Sequence, residues 1–161
     1  MHHKVFVGIG SNINKKENIR SCIKIIEEEF EDFNISPIYQ TQSMGFKGPD
    51  FYNCVCSFLT TKDVYELKDH LSKIELDHGR HFKETKFSSR TLDIDILYFD
   101  DLVLNNEQVQ IPRKEILEFD FVLLPLCDLD PDFVHPELGK KHKNIIKDID
   151  IKKLILKKIN L

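Results

Sequence analysis

The alternation of apolar and polar residues predicts three strands in the first part of the chain. Residues 4–9 alternate, and residues 51–60 (FYNCVCSFLT) alternate over a longer stretch. Because successive strand side chains point to opposite faces, the longer strand has an apolar face and a mixed face. The apolar face carries Tyr52, Cys54, Cys56 and Phe58, and the mixed face carries Phe51, Asn53, Val55 and Ser57. Residues 33–41 (FNISPIYQT) favour a third strand, which Pro37 confines to a sheet edge or a bulge.

Helical spacing predicts two amphipathic helices. The first follows Asn14, which has Glu17 three residues later, the spacing of a capping box. The second ends before Gly79, a typical residue after a helix C-terminus. Their apolar stripes are Ile19, Ile23, Ile26 and Phe30 in the first, and Val64, Leu67, Leu71 and Ile74 in the second. Residues 121–129 (FVLLPLCDL) are continuously apolar and are therefore expected to be buried, but this pattern does not distinguish a helix from a strand. Residues 152–158 fit either a surface helix or an added strand.

A later strand carries two acidic residues on one face. Leu92, Ile94 and Ile96 share the face expected to join the core, so Asp93 and Asp95 share the other face. Two neighbouring carboxylates raise each other's pKa unless a positive charge lies between them, and a divalent cation such as Mg²⁺ meets that need. The alternative is a solvated strand face, because Asp-x-Asp is a common pattern. A turn at residues 100–101 and a small hairpin appended to the sheet follow, and Pro112 is a plausible start for a short helix.

Length, order of elements and composition limit the classes of protein. The 161 residues predict a single domain over 1–161, and the mixed order of strands and helices predicts an α+β fold with a mostly antiparallel sheet. A net charge of −4 provides no general attraction to nucleic acid or membrane. The start of the chain has no apolar stretch typical of a signal peptide, and the four cysteines are interpreted as reduced, mostly buried thiols. These features predict a cytoplasmic protein.

A basic loop precedes the acidic strand. Arg80, Lys83, Lys86 and Arg90 lie within eleven residues that hold one acidic residue, Glu84. ATP with Mg²⁺ would satisfy both parts, with the ions on the aspartates and the remaining phosphate charge on the basic residues. Solvated surface lysines are the alternative for Lys83 and Lys86. On the mixed face of the strand at 51–60, Phe51 and Asn53 could stack on a flat heterocycle and bind its edge, although Asn53 could equally satisfy neighbouring backbone.

In combination, these segments resemble 6-hydroxymethyl-7,8-dihydropterin pyrophosphokinase, a family of folate biosynthesis. The likeness runs in order over about residues 4–135. It is carried by residues 8–12 (GIGSN), Tyr39-x-Thr41 with Gly45, 51–53 (FYN), 74–80 (IELDHGR), 90–97 (RTLDIDIL), 109–112 (VQIP) and 121–126 (FVLLPL). The stretch at 90–97 is the most specific of these.

The resemblance implies a fold, a reaction and a set of site residues. The fold is ferredoxin-like, a three-layer α/β/α arrangement, and the reaction transfers diphosphate from ATP to the pterin hydroxymethyl group, releasing AMP. Two Mg²⁺ ions on Asp93 and Asp95 are implied, with Arg80 and Arg90 also in catalysis. The implied pterin-binding residues are Thr41, Gly45, Phe51, Asn53 and Phe121, and the implied ATP-binding residues are Glu75, Arg80, Lys83 and Arg90. Phe87 occupies the position of a loop aromatic residue that closes over the site in the family.

The chain departs from the family pattern near the implied phosphate site. Arg113 and Lys114 stand where the family has a His-Tyr or similar pair, and Phe119 stands where it has an arginine. We expect Arg113 and Lys114 to supply ATP-binding charge from nearly the same place, although neither reproduces imidazole geometry. The expected partners are ATP and the reduced pterin alcohol, without nucleic acid or membrane. A monomer is expected, or a domain of a larger folate enzyme.

Two other functions remain open at this stage. A family-derived binding protein with weak catalysis fits the departures at Arg113 and Phe119. An unrelated module that binds nucleic acid through residues 79–90 would need exposed aromatic residues on a sheet face, and the negative net charge counts against it.

The remaining histidines have structural interpretations. His78 and His81 have a spacing seen in metal sites but lack further ligands nearby in sequence. His142 is assigned to a solvated basic run with its neighbours Lys140, Lys141 and Lys143.

Overall fold

The computed structural model describes residues 1–80 and 89–161. The strands are β1 (His3–Ser11), β2 (Glu31–Ile35), β3 (Ile38–Thr41), β4 (Phe51–Thr60), β5 (Asp93–Phe99), β6 (Leu104–Asn105), β7 (Gln110–Ile111) and β8 (Ile155–Ile159). The helices are α1 (Lys15–Glu29), α2 (Val64–Asp77), α3 (Asp120–Leu129) and α4 (His142–Asp148), with a short 3₁₀ helix at Lys114–Leu117. The predicted strands at 4–9 and 51–60 and both predicted amphipathic helices are therefore confirmed.

Within the described ranges, one sheet runs in the order β5-β1-β4-β3-β8, and β2 also pairs with β4. All pairings between its strands are antiparallel. The predicted strand at 33–41 is divided at Ser36 and Pro37 into β2 and β3. Ser36 bridges the break, since its N–H donates to the Val55 carbonyl and its Oγ accepts from the Val55 N–H. The predicted hairpin forms as a separate two-stranded sheet, β6-β7, rather than as an addition to the main sheet.

Each face of the main sheet carries its own hydrophobic core. On one face, α1 and α2 pack against alternate residues of β1, β4 and β5, including Ile94 and Ile96. On the other face, α3 and α4 cover Phe6, Val55 and Tyr98. The result is three layers, with helices on both sides of an antiparallel sheet, which confirms the predicted α+β class and α/β/α arrangement.

The helix ends follow the predictions in part. Gly79 has φ of +85° and donates its N–H to the Leu76 carbonyl, as expected for the end of α2. The start of α1 is correct, but the capping box is wrong. Asn14 adopts a left-handed conformation with φ of 45°, and within the described residues its side chain forms no capping hydrogen bond. Asn18 instead donates from Nδ2 to the Ile13 carbonyl at 2.7 Å.

The ambiguous segments now have assignments. Residues 121–129 lie in α3, which contains Pro125, and the C-terminal segment supplies β8, an added strand beside β3. The four cysteines are free thiols, three of them buried, as expected. In the parts of the chain that the structure describes, the helices are too short or too polar to cross a bilayer.

His142 is not a member of a solvated basic run, so that interpretation is wrong. Its side chain is fully buried against Tyr98, with ring centroids 5.5 Å apart. Nδ1 donates to the Asp130 carbonyl at 2.8 Å, which leaves Nε2 to accept from the Tyr98 hydroxyl at 3.0 Å. The neighbouring lysines are exposed and pair with acidic residues, for example Lys143 with Asp132 at 2.9 Å. Burial therefore lowers the pKa of His142 and keeps the ring neutral.

Candidate active site

A cavity of about 450 Å³ lies between the ends of β1, β4 and β5 and the start of α3. Most of the residues singled out in the sequence line it. They are Thr41, Phe51, Asn53, Arg80, Arg90, Asp93, Asp95, Arg113 and Phe121. Residues from distant segments thus line one cavity, as their predicted chemistry requires.

The other predicted site residues lie at different places. Glu75 lines a second cavity of about 160 Å³. Gly45 has φ of 75° and lies between Met44 and Phe46, two residues of the larger cavity's wall. Lys114 is exposed at the start of the 3₁₀ helix and lines neither of these cavities as the described residues form them. Lys83, together with His81 and Phe87, lies outside the described residues.

The two aspartates occupy one face of β5 opposite glycines. The antiparallel register pairs Asp95 with Gly8 and Asp93 with Gly10 of β1. Both aspartates face the cavity, while Ile94 between them belongs to the opposite core. The two carboxylates therefore face the cavity together, and the residues paired with them on β1 carry no side chains.

Arg80 links Asp93 to Glu75. Its Nη1 contacts the Glu75 carboxylate at 2.6 Å and the Asp93 carboxylate at 2.5 Å. The same Glu75 oxygen accepts from the Ile94 N–H at 2.9 Å, so the ion pair is attached directly to β5. Burial raises the pKa of Glu75 to about 7, although the hydrogen bond from Ile94 and the charge of Arg80 act in the other direction.

The environment of Asp95 disfavours its charged form. Burial first and the nearby charge of Asp93 second raise its pKa to about 8, against the lowering effect of Arg113. Such a site suits a cation with oxygen ligands. Among the residues that the structure describes, no group of three or more His, Cys, Asp or Glu side chains could hold a metal ion. Mg²⁺ fits this donor set, since it is usually held by one or two carboxylates with substrate phosphates and water as the remaining ligands.

Two polar residues that the sequence interpretation did not assign to the site contribute to it. Glu115 lines the larger cavity and pairs with Arg113, whose Nε lies 3.1 Å from its Oε2. Asn12 holds the backbone of Arg90, shortly before β5, because its Oδ1 accepts from the Arg90 N–H at 2.7 Å and its own backbone N–H donates to the Arg90 carbonyl. Asn12 belongs to the GIGSN stretch that carried the resemblance, whereas no local pattern marks Glu115.

Aromatic rings form two pairs in the wall of the cavity. Phe46 meets Phe51 edge-on, with centroids 6.4 Å apart, and Phe119 stacks on Phe121 at 5.3 Å with 12° between the ring planes. All four rings line the larger cavity. Of these rings, Phe51 and Phe121 were predicted to bind the ligand, and Phe119 was noted only as a departure from the family pattern. Phe46 was not predicted, although its position directly after Gly45 in a loop with two glycines was a signal.

Asn53 is held in one orientation. Its Nδ2 donates to Thr41 Oγ1 at 2.8 Å, and its Oδ1 lies over Gly10. A Cβ at residue 10 would lie 2.5 Å from that oxygen, so the arrangement requires glycine there. The amide therefore presents a fixed edge beside the ring of Phe51.

Comparison with known proteins identifies chains of similar sequence. The model of the 7,8-dihydro-6-hydroxymethylpterin-pyrophosphokinase (HPPK) family matches residues 6–131. The Aquifex aeolicus 2-amino-4-hydroxy-6-hydroxymethyldihydropteridine pyrophosphokinase is 31% identical over 141 residues, which cover 86% of this chain and 88% of that protein. The Dictyostelium discoideum folic acid synthesis protein FOL1 is 35% identical over 136 residues, which cover 83% of this chain.

Several of these relatives are much longer than this chain. The match covers 20% of the Dictyostelium protein. Among solved structures, wild-type Plasmodium falciparum HPPK-DHPS superposes with a TM-score of 0.73 at 14% identity, covering 92% of this chain and 44% of that one. At this identity the superposition supports the fold alone.

Proposed function

The chain belongs to the 7,8-dihydro-6-hydroxymethylpterin-pyrophosphokinase family, and from this premise we propose that it transfers diphosphate from ATP to 6-hydroxymethyl-7,8-dihydropterin in folate biosynthesis. The hydroxymethyl oxygen bonds to the β-phosphorus of ATP, the bond from that phosphorus to the α,β-bridging oxygen breaks, and AMP leaves. The hydroxyl proton is released. Such a transfer is mostly a matter of positioning and of charge neutralisation.

The observation that carries the proposal is the wall common to the two cavities. Arg80, Asp93, Asp95 and Arg113 line both of them. A ligand in the larger cavity and a second ligand that reaches from the smaller cavity would therefore meet at the two carboxylates. This geometry supports a reaction between two bound substrates better than it supports a site for a single ligand.

The larger cavity suits the pterin. Its aromatic lining supports stacking of the flat ring between Phe51 and Phe121, and Asn53 would bind the ring edge by hydrogen bonds. Backbone groups from Thr41 to Gly45 would complete the recognition of that edge. The hydroxymethyl group would then point towards Asp93 and Asp95.

The charged side of the site suits ATP. Arg80, Arg90 and Arg113 line the larger cavity, and guanidinium groups bind phosphate oxygens with directional hydrogen bonds. Glu75 would keep Arg80 in place, as their contact of 2.6 Å indicates. Lys83 and the exposed Lys114 would add charge around the phosphates once ATP is bound.

Asp93 and Asp95 would hold Mg²⁺, with two ions expected when ATP is present. When bound, the ions would neutralise phosphate charge and lower the pKa of the substrate hydroxyl. Asp95 has to lose the proton that burial favours before it can act as a ligand, because its pKa is raised to about 8. Arg113 opposes this rise and therefore favours the ligating form of Asp95.

We also propose that residues 1–161 act as one pyrophosphokinase domain, as a cytoplasmic monomer or as part of a larger folate enzyme. The length of the Dictyostelium relative is consistent with the second arrangement.

The test is incubation with ATP, Mg²⁺ and the reduced pterin alcohol, followed by chromatographic separation of nucleotides and pterins. We expect AMP and the pterin diphosphate in equal amounts, and no product with Asp95→Ala. Formation of ADP would contradict diphosphate transfer. Binding of both ligands without AMP would instead support a family-derived binding protein, which the replacement at Phe119 and the Arg113–Glu115 ion pair would then explain.

A further inference from the structure

A short segment near the C-terminus contacts both walls of the aromatic cavity. We name residues 152–155 the C-terminal brace. At one end, Lys152 donates its N–H to the Glu118 carbonyl at 2.8 Å, and its own carbonyl accepts from the Asp120 N–H at 3.0 Å. At the other end, the Leu154 carbonyl accepts from the Gln42 N–H at 2.9 Å. The brace therefore joins the start of α3 to the loop that follows β3.

Asp120 is the side chain that fastens the brace to α3. Its two carboxylate oxygens accept from successive backbone N–H groups, of Leu154 at 2.9 Å and of Ile155 at 3.1 Å. Only 9% of the residue is exposed. Hydrogen bonds to a carboxylate are stronger than those between neutral groups, and a buried carboxylate left without them destabilises the folded state. The contact therefore fixes the start of α3 relative to β8.

The position of Asp120 connects this contact to the substrate. Its chain neighbours, Phe119 and Phe121, form the stacked pair in the cavity wall, and Gln42 lines the same cavity. Asp120 itself does not line the cavity as the described residues form it. Any shift of the brace would alter the spacing between the two walls that a flat ligand must fit.

We propose that the C-terminal brace sets the width of the pterin cavity and that Asp120 is its positioning residue. The identity of the ligand in this inference rests on the proposed function. The ATP-side residues Glu75 and Arg80 contact each other and β5. The described hydrogen bonds of the brace run instead to Gln42, Glu118 and Asp120. Loss of the brace therefore weakens pterin binding selectively.

The test compares Asp120→Asn with a matched control, Asp63→Asn. Asp63 also accepts from two backbone N–H groups, of Tyr65 and Glu66, but at the start of α2, away from the cavity. Binding of 6-hydroxymethylpterin is followed by its fluorescence, and the KM values for pterin and ATP are measured separately. We expect about tenfold weaker pterin binding in Asp120→Asn, an unchanged KM for ATP, and no change in pterin binding in Asp63→Asn.

Amide hydrogen exchange gives a readout that needs no substrate. Faster exchange is expected at Gln42, Leu154 and Ile155 in Asp120→Asn, because the N–H groups of these residues donate the hydrogen bonds that the brace and Asp120 form. Asp120→Ala removes both acceptor oxygens and should increase every effect. If Asp120→Ala fails to fold, Asp120→Asn, which keeps one acceptor oxygen, decides the matter.

Unchanged pterin binding and exchange in Asp120→Asn would overturn the proposal, as would an equal loss of pterin and ATP binding. If the wild-type chain forms no AMP while Asp120→Asn still weakens pterin binding and speeds exchange at Gln42, the proposed function fails and the role of the brace is upheld.

Discussion

Arg80 donates a hydrogen bond from Nη1 to the carboxylate of Asp93 over 2.5 Å, and the same nitrogen contacts Glu75. The cation expected to bind phosphate is thus already fixed beside a carboxylate expected to bind metal. The charge of Arg80 and the orientation of its guanidinium group are both set before any ligand binds, which is the preorganisation that phosphoryl-type transfer needs.

We predict that Arg80→Lys reduces kcat for AMP formation by about 10- to 100-fold, because a lysine ammonium is a point charge and lacks the planar guanidinium geometry that binds phosphate oxygens in two directions. The reaction is followed by AMP release at saturating Mg²⁺. Arg20→Lys, an exposed position on α1, is the control and should retain wild-type activity. Equal kcat values in the two variants would show that Arg80 acts only as a diffuse charge.

Asp95→Asn should abolish AMP formation and yet stabilise the ligand-free protein at pH 8. Burial raises the pKa of Asp95 from 3.8 to about 8, so the folded state holds this proton more tightly than the unfolded state. The stability that results is fully present below about pH 4 and is lost as the pH rises towards 8. Removing the charge should therefore raise the free energy of unfolding at pH 8 by about 1–3 kcal/mol.

The measurement is thermal unfolding of wild type and Asp95→Asn without metal, from pH 4 to pH 8. The difference in Tm should grow with pH and vanish near pH 4. A variant that is less stable than wild type at pH 8 would contradict the raised pKa.

Tyr98→Phe should destabilise the fold without lowering AMP formation. The substitution leaves Nε2 of the buried His142 without its donor, at a cost of about 1–3 kcal/mol. Because burial lowers the pKa of His142, the folded state prefers the neutral ring, and stability is present above the unfolded pKa of 6.5 and lost as the pH falls. Urea unfolding measures both effects, with Tyr65→Phe, at an exposed tyrosine on α2, as the near-neutral control.

The same histidine shows where interpretation of the sequence fails. Its neighbours are lysines, so the local pattern predicts a solvated run, and only the packing of α4 against the sheet places His142 beside Tyr98. Asn14 is a similar case, since the capping-box spacing is present but the backbone turns left-handed. Asp120 carried no local signal, because its partners are amides more than thirty residues away.

The assignment of strand residues to faces, which needed only periodicity, was correct for β4 and β5. Alternation in 51–60 and 93–97 assigns each residue to a face without knowledge of the rest of the chain, and the structure places Asp93 and Asp95 on one face and Ile94 on the other. The side-chain pairs of the site, such as Arg113 with Glu115, depend on how loops approach each other. Such approaches leave no periodic trace in the sequence.

Phe119→Ala should raise the KM for the pterin by about 2- to 10-fold and leave the KM for ATP unchanged. The parallel stack of Phe119 on Phe121 restrains the ring expected to contact the substrate, and such pairs contribute about 0.5–1.5 kcal/mol. Phe119→Tyr keeps the stack and should behave like wild type. A lower KM in Phe119→Ala would mean that this ring obstructs the cavity rather than supports its wall.

Gly10→Ala should weaken pterin binding by about tenfold or more, with little loss of stability. The new Cβ would lie 2.5 Å from Oδ1 of Asn53, at the end of a side chain that can rotate away, so the fold survives while the hydrogen bond to Thr41 is lost. Gly8→Ala on the same strand is the matched control, because its Cβ meets Leu97 at an ordinary 3.6 Å. Fluorescence titration with 6-hydroxymethylpterin and a Tm for each variant separate the two effects. Similar pterin affinities in both variants would show that the orientation of Asn53 does not matter for recognition of the ring edge.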